Sequence, residues 1–335
     1  MRSFGVLLSF ILGVSCTPRE LSTSLQGEVR MDFENLQILR TPDERFADIS
    51  NFDYPSHYAV VDGDIRMHYL DINPNGENII VLVHGEPTWG YTFRSMIPGF
   101  IEANYRVIVP DLIGFGKSDK LQQDSDYTYA RHVQWLKTLL FNELHLDNIH
   151  LFIHGWGGLI GLRIVGEVPE RFATVIASNT GLPTGDEIPN ESFIAWQEES
   201  RNYEKFPVAE LIQEQTTVDL TWQDLAAFDA PFPTEAHKSG VRSAPMLVPT
   251  TPDNPASEAN RHAWARLREF NKPFLTVFSP TDNFSSGWAR SLREKIPGAK
   301  NQPHIYMAGT GHFIEEDMGD EMALHIISFI ANSKE

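Results

Sequence analysis

Five short apolar runs punctuate the chain at residues 79–83 (IIVLV), 106–110 (RVIVP), 149–153 (IHLFI), 174–178 (TVIAS) and 273–278 (PFLTVF). Runs of this length with almost no polar break fit β-strands covered on both faces. Upstream, HYAVVDG and DIRMHYLDI alternate apolar with polar side chains, which predicts two half-buried strands joined at Asp62 and Gly63. Helical patterns lie between the runs. In TYARHVQWLKTLLFNEL, residues 128–144, the side chains of Val133, Leu136, Leu140 and Leu144 share one face. Strand alternating with helix predicts an α/β fold, a mostly parallel sheet covered by helices. From about Leu182 to Ala263 the pattern changes to Pro-rich, acidic, Trp-bearing stretches without a buried-strand run. This segment, 182–263, reads as a helical cap inserted between two parts of one core, residues 30–181 and 264–335.

Charge narrows the partner classes. The 335 residues carry 27 Lys and Arg against 45 Asp and Glu, a formal net charge of −18 at pH 7. No basic stripe is available to release counterions from a phosphate backbone, which argues against nucleic acid, and an anionic membrane surface is disfavoured for the same reason. A 41% hydrophobic and 11% aromatic composition supports a large buried core. The single cysteine, Cys16, leaves no disulfide framework or Cys-rich metal site. It closes the segment MRSFGVLLSFILGVSC, which reads as an export signal too short to span a bilayer as a mature helix. Cleavage after Ser15 would expose Cys16 where a bacterial lipoprotein carries its lipid. Ordinary cleavage into the periplasm, or an uncleaved apolar N-terminus on a cytoplasmic protein, are the alternatives.

The candidate chemistry gathers at the ends of the apolar runs. LFIHGWGGLIGLRI, residues 151–164, is a strand entering a Gly-rich turn and then an apolar helix. That is the setting of a nucleophile elbow, where a sharp turn lifts one side chain to the edge of the sheet. The tip falls on Gly155, which has no nucleophile to offer, and no G-x-S-x-G occurs elsewhere. Close packing of helix on strand is the plain alternative explanation for these glycines. The segment IIVLVHGEPTWG ends another strand in His84-Gly85, and the backbone N–H of Glu86 is placed to form an oxyanion hole with that of Trp156. FSPTDNF and AGTGHF each follow a late strand, giving the order nucleophile position, acid Asp282, base His312. A carboxylate can hold an imidazole tautomer, and the imidazole can then take a proton from water. No G-x-x-x-x-G-K-[ST] is present, and His145, His150 and His154 have no convincing ligand spacing, so neither cofactor nor metal is implied.

Taken in order, HGEPTWGYTFR, RVIVPDLIGFGKSDK, HGWGGLIGL, FIAWQ, APFPTEAHKSGVR and AGTGHF resemble the haloalkane dehalogenases, α/β-hydrolases with a helical cap. The likeness runs from roughly Leu36 to the C-terminus. It implies a small apolar organic substrate and a halide product. A carboxylate displaces halide in an SN2 step, and His-activated water then hydrolyses the alkyl ester. Two indole N–H groups hold the departing halide, which matches Trp156 beside the elbow tip and Trp196 in FIAWQ. Phe193, Phe232 and Pro233 match pocket-lining positions. Asp282 matches the acid of the subgroup in which it follows the late strand, since Asn179 stands at the alternative acid position. Trp89, Trp135, Trp222, Trp264 and Trp288 are expected in the core or at the surface. The departure is Gly155, where the family carries the Asp that bonds to carbon. The resemblance therefore implies a dehalogenase with impaired first step. A non-catalytic binding homologue, or a weak ester or lactone hydrolase using His312 and Asp282 on water, are the competing expectations. Oligomeric state is left open.

Overall fold

The computed structural model describes residues 36–333 other than Ser50 and Ser286, so the expected export signal and Cys16 lie outside the described residues. The predicted hairpin forms from β1 (Ser56–Asp62) and β2 (Ile65–Ile72). Its turn sits at Gly63 and Asp64, one residue later than the pattern indicates, because Asp62 still pairs with Ile65 after a register shift beyond Val60. Gly63 takes φ +51°, a left-handed conformation that glycine adopts at least cost. The five apolar runs become β3 (Asn78–Val83), β4 (Tyr105–Pro110), β5 (Ile149–His154), β6 (Phe172–Ser178) and β7 (Phe274–Phe278). The two-residue β8 (Ile305–Tyr306) completes an eight-stranded sheet of order β8-β7-β6-β5-β3-β4-β2-β1. From β8 to β4 every neighbour is parallel, and β2 and β1 are added antiparallel. β5 and β7 are buried along their whole length, as covered strands must be.

Helices flank this sheet: α1 (Met96–Glu102), α2 (Tyr129–Lys137) and α3 (Gly155–Glu167) come from the first part of the chain. The Thr128 side chain caps α2 by accepting the Arg131 N–H, and the helix continues as a π-turn over Thr138–Glu143. Val133, Leu136 and Leu140 are buried as their spacing requires, whereas Leu144 is half-buried. The next helices are α4 (Glu191–Asn202), α5 (Val208–Glu214), α6 (Trp222–Asp229) and α7 (Ser239–Leu247), followed by α8 (Ser257–Leu267), α9 (Trp288–Lys295) and α10 (Ile314–Asn332). Residue 263 lies inside α8, and α8 packs against α3 rather than against the inserted helices.

The insertion is tied down by polar contacts. Trp89 Nε1 donates to the Ala227 carbonyl of α6 at 3.0 Å. Arg94 lies between Glu316 of α10 (2.7 Å) and Asp224 of α6 (3.0 Å). Tyr91 donates its hydroxyl to the same Asp224 at 2.8 Å. These bonds fix the base of the insertion over the carboxyl ends of the strands.

The strand order itself locates the site. β3 lies between β4 and β5, so the connections that leave β3 and β5 diverge and open a crevice at their carboxyl ends. Val83 pairs with Ile153, and His154 with Ser178. The segments that start at His84, Gly155 and Asn179 therefore begin side by side.

Candidate active site

β5 ends at His154, and Gly155 turns the chain into α3 with φ +51°. That conformation is the sharp strand-to-helix turn the sequence predicts, and it is strained for any residue with a Cβ. Thr180 Oγ1 donates to the Gly155 carbonyl at 2.8 Å and fixes the peptide plane. A side chain on Gly157 would run into the His84 carbonyl, so glycine there is what lets α3 start so close to the β3 loop. A Cβ built on Gly155 would meet only the Cα of Gly85 at 3.3 Å and His312 Nε2 at 3.7 Å. The strand-to-helix turn has the form of an elbow, and residue 155 at its tip faces the imidazole with no side chain of its own.

On the far side, His312 Nδ1 donates to Asp282 Oδ1 at 3.0 Å. Asp282 also accepts the Phe284 N–H (3.0 Å), the Ser285 N–H (3.2 Å) and the Ser285 hydroxyl. Burial pushes its carboxyl up, but the charge of His312 and these hydrogen bonds outweigh it and hold the group well below the usual carboxylate range. Asp282 is thus an ionised partner that keeps the proton on Nδ1 and leaves Nε2 as a base facing Gly155. The imidazole is 13% exposed, enough to meet a water or substrate in the cavity. Its ring is held edge-on by Phe284 and Phe313, with centroids at 5.4 and 4.9 Å.

A second set of residues supports His312 through its backbone. Its N–H donates to the Gln215 carbonyl at 2.8 Å, and its carbonyl accepts from Asn179 Nδ2 (2.7 Å) and His154 Nε2 (3.0 Å). Asn179 adopts φ +38° and also accepts the Ser279 N–H at 2.9 Å. At the position of an alternative acid, this residue instead ties three strand ends together as a neutral amide. His84, whose Nε2 accepts the Leu112 N–H at 3.0 Å and whose Nδ1 donates to the Gly85 carbonyl at 2.8 Å, does the same for the loop that follows β3. His150 meets Thr174 at 2.9 Å, away from the site.

Behind His312 sits a fully buried pair. His154 Nδ1 faces Glu315 Oε1 at 3.3 Å, and both side chains are solvent-inaccessible. Burial, with His312 alongside, pushes the His154 ring down to about 3, and burial pushes the Glu315 carboxyl up to about 8. Both are neutral at pH 7, with a protonated Glu315 able to donate to Nδ1. The native chain keeps the Glu315 proton from pH 4.5, where an exposed carboxyl loses it, to about pH 8. In that window the folded state binds more protons, so this group makes stability fall as pH rises. His154 acts oppositely, but only below its ordinary value of 6.5. Glu315→Gln keeps a donor to His154 and removes the titration. Its melting temperature is expected to exceed that of the unaltered protein by about 3 °C at pH 8.5. The gap should close toward pH 5. A pH-independent difference in scanning calorimetry would show that Glu315 is ionised in the fold.

The site opens into a cavity of about 320 Å³ bounded by Glu86, Gly155, Trp156 and His312 on the core side. Burial pushes the Glu86 carboxyl up to about 8, and its Oε1 has no hydrogen-bond partner among the described residues. Trp156 Nε1 is likewise buried and unpartnered among the described residues, its ring wedged edge-on by Tyr129 (5.1 Å) and His132 (5.3 Å). Phe193 and Trp196 reach the cavity from α4. The Asn190 side chain caps that helix by accepting the Ser192 and Phe193 N–H groups, and it donates to the Asn283 carbonyl beside the acid at 2.7 Å.

The cavity wall corrects two expectations. Phe232 and Pro233 do not line it: Phe232 is buried against Lys120, whose Nζ lies 5.9 Å from the ring centroid, and Pro233 is exposed. Thr41 donates its hydroxyl to the neighbouring Pro231 carbonyl at 2.6 Å, which places this Pro-Phe-Pro in a seam with residues 40–45. The opposing wall comes instead from Ala244, Pro245 and Val248 at the end of α7. Gln197 Nε2 of α4 donates to the Pro245 carbonyl at 2.6 Å and sets the two helices across the cavity. Trp288 also lines the cavity, stacked on Trp264 with centroids 6.5 Å apart, rather than serving only the core. Trp89 and Trp135 are buried and Trp222 is exposed.

An activated base, an ionised partner, unpartnered donors and an apolar wall on one α/β sheet describe a hydrolase site, and comparison with known proteins names the family. Residues 78–300 match the alpha/beta hydrolase fold family. A haloalkane dehalogenase of Psychrobacter cryohalolentis is 47% identical over 299 residues, spanning 88% of this chain and 98% of that protein. One from Mycolicibacterium paratuberculosis is 41% identical over 298 residues, with the same coverage. The solved tetrameric haloalkane dehalogenase of Paraglaciecola agarilytica NO2 superposes with a TM-score of 0.80 at 32% identity, over 87% of this chain and 98% of that one. The chain belongs to the haloalkane dehalogenase family of α/β-hydrolases.

Proposed function

We propose that this protein binds small haloalkanes and halide ions in its cavity and cleaves the carbon–halogen bond slowly, because no oxygen is attached at residue 155. The observation that carries the proposal is the bare elbow: a Cβ there would sit 3.7 Å from His312 Nε2, and glycine supplies no oxygen to occupy that side of the imidazole. In the family's reaction the attacking oxygen comes from that position, and His312 with Asp282 serves only the later attack of water on the ester. Trp156, on the core side, and Trp196, on the insertion, supply the indole donors for the halide. A halide leaving against an apolar wall finds few other polar partners, so its stabilisation depends on such donors. Phe193, Ala244, Pro245 and Val248 provide the apolar surface for a short alkyl chain.

Two measurements test the proposal. Iodide is expected to quench tryptophan fluorescence saturably, and Trp196→Phe should weaken the apparent affinity by about tenfold, the loss of one hydrogen bond to a charged group. Bromide release from 1-bromobutane by the unaltered chain should be barely above the uncatalysed rate. Rapid turnover would overturn the impaired first step, and an absence of quenching would overturn the paired-indole site.

A further inference from the structure

We infer that the Gly155 niche is a site for a small free carboxylate, formate above all, which acts there as a diffusible nucleophile toward a bound haloalkane. The inference rests on the reading that the cavity holds haloalkanes. It goes further, because it assigns a second substrate and an ester-forming activity to the same site.

The geometry is that of a carboxylate removed from a surround built to use one. Replacing an Asp side chain by hydrogen deletes the equivalent of an acetate ion, and beyond the neighbouring residues of the chain only Gly85 Cα and His312 Nε2 approach within 4 Å of a Cβ at this position. The niche opens to the cavity through residues that favour an anion. Trp156 Nε1 is buried without a partner among the described residues. The first-turn N–H groups of α3, beginning at Gly155, have no acceptors within their own helix. Among the described residues no oxygen accepts the Glu86 N–H. Burial pushes the Glu86 carboxyl up, which weakens its repulsion of an anion at pH 7, and its Oε1 has no partner among the described residues. The positive φ at Gly155 keeps the chain in the elbow form, with Glu86 and Trp156 bounding the same cavity.

The step balances without any further reagent. A formate oxygen attacks the halogen-bearing carbon, the new C–O bond forms as the carbon–halogen bond breaks, and the electron pair leaves on the halide beside Trp156 Nε1. One anion enters and one anion departs. The product is an alkyl formate lying against His312. Water deprotonated by His312 Nε2 then attacks the formyl carbon, the acyl C–O bond breaks, and the proton passes to the departing alkoxide. The alcohol therefore carries an oxygen that came from formate. Formate should surpass acetate, because a free ion must stand at van der Waals distance from the Gly155 Cα, and acetate brings a methyl group to that contact. Pivalate is too bulky for the niche.

The experiment uses the unaltered chain, 1-bromobutane and 18O-labelled sodium formate at constant ionic strength. A tethered nucleophile has an effective concentration far above that of any free ion, so formate at about 0.5 M restores only part of the rate, on the order of tenfold over formate-free protein. Bromide release should saturate with formate, follow the order formate, acetate, pivalate, and place the label in butanol. Gly155→Ala puts a methyl group in the niche and should remove the stimulation. Unlabelled butanol, no stimulation, or equal stimulation by pivalate overturns the inference. If iodide quenching is present and Gly155→Asp turns over bromobutane while formate has no effect, only the niche assignment fails. If quenching and Gly155→Asp turnover are both absent, the haloalkane reading fails with it.

Discussion

Gly155→Asp is expected to raise bromide release from 1-bromobutane by at least about ten-thousandfold. Loss of a nucleophile from a hydrolase costs up to about a millionfold, and the pair that would turn over the resulting ester is already in place. Asp282 holds His312 at 3.0 Å, and the new Cβ would point its carboxylate past His312 Nε2 into the cavity. A ten-thousandfold gain corresponds to about 5.4 kcal/mol of transition-state stabilisation. The same substitution opposes folding. An L-residue at φ +51° costs roughly 1–2 kcal/mol, and the 3.3 Å approach to Gly85 Cα asks that loop to yield slightly. The melting temperature should fall by a few degrees, which a domain stable by about 5–15 kcal/mol tolerates. Activity and stability thus move in opposite directions at one residue, a pattern that a mere packing glycine would not produce. Ion chromatography of released bromide and a thermal melt on the same sample read both. A folded variant with no gain in release would remove residue 155 from the chemistry.

Parts of this architecture were legible in the sequence for identifiable reasons. Strands buried on both faces have no polar alternation to hide them, so all five apolar runs appear within two residues of their observed limits. The elbow, acid and base are fixed to strand ends by local sequence, and Gly155, Asp282 and His312 converge accordingly. The inserted helices are different, because their inward faces depend on contacts between segments far apart in the chain. PFP at 231–233 and APMLVP at 244–249 look alike as apolar, Pro-bearing stretches. Only the Gln197 bond to the Pro245 carbonyl and the docking of residues 40–45 on the first stretch decide which one meets the cavity. Trp288 reaches the wall because Gly181 leaves room for its ring, a relation across most of the second half of the chain. Glu315 stands beside Glu316 and Asp317 in the acidic first turn of α10. Its burial against His154 follows from where α10 starts, which local composition does not encode.

In the Gly155→Asp background, His312→Phe is expected to separate the two halves of the reaction. Displacement of halide by Asp needs no base, since a carboxylate is already ionised and the leaving group goes to the proposed indole donors. The first equivalent of bromide should therefore still appear. Hydrolysis of the resulting ester needs a water that has lost its proton, and His312 Nε2 is the group positioned to take it, oriented by the ionised Asp282. Phenylalanine preserves an aromatic ring between Phe284 and Phe313 and the backbone bonds from Asn179 and His154, so the loss is chemical rather than structural. Steady-state turnover should fall by about a thousandfold, while one bromide is released per protein and the intact mass rises by a single butyl group on residue 155. Asp282→Asn in the same background should leave the burst and slow the second phase, because a neutral amide no longer stabilises the imidazolium or enforces the tautomer. Continued turnover by the His312→Phe variant would mean that water reaches the ester through some other base. Loss of the burst would mean that His312 acts before the carbon–halogen bond breaks, a role its position beside the elbow, with Nε2 facing residue 155, gives no chemical reason to expect.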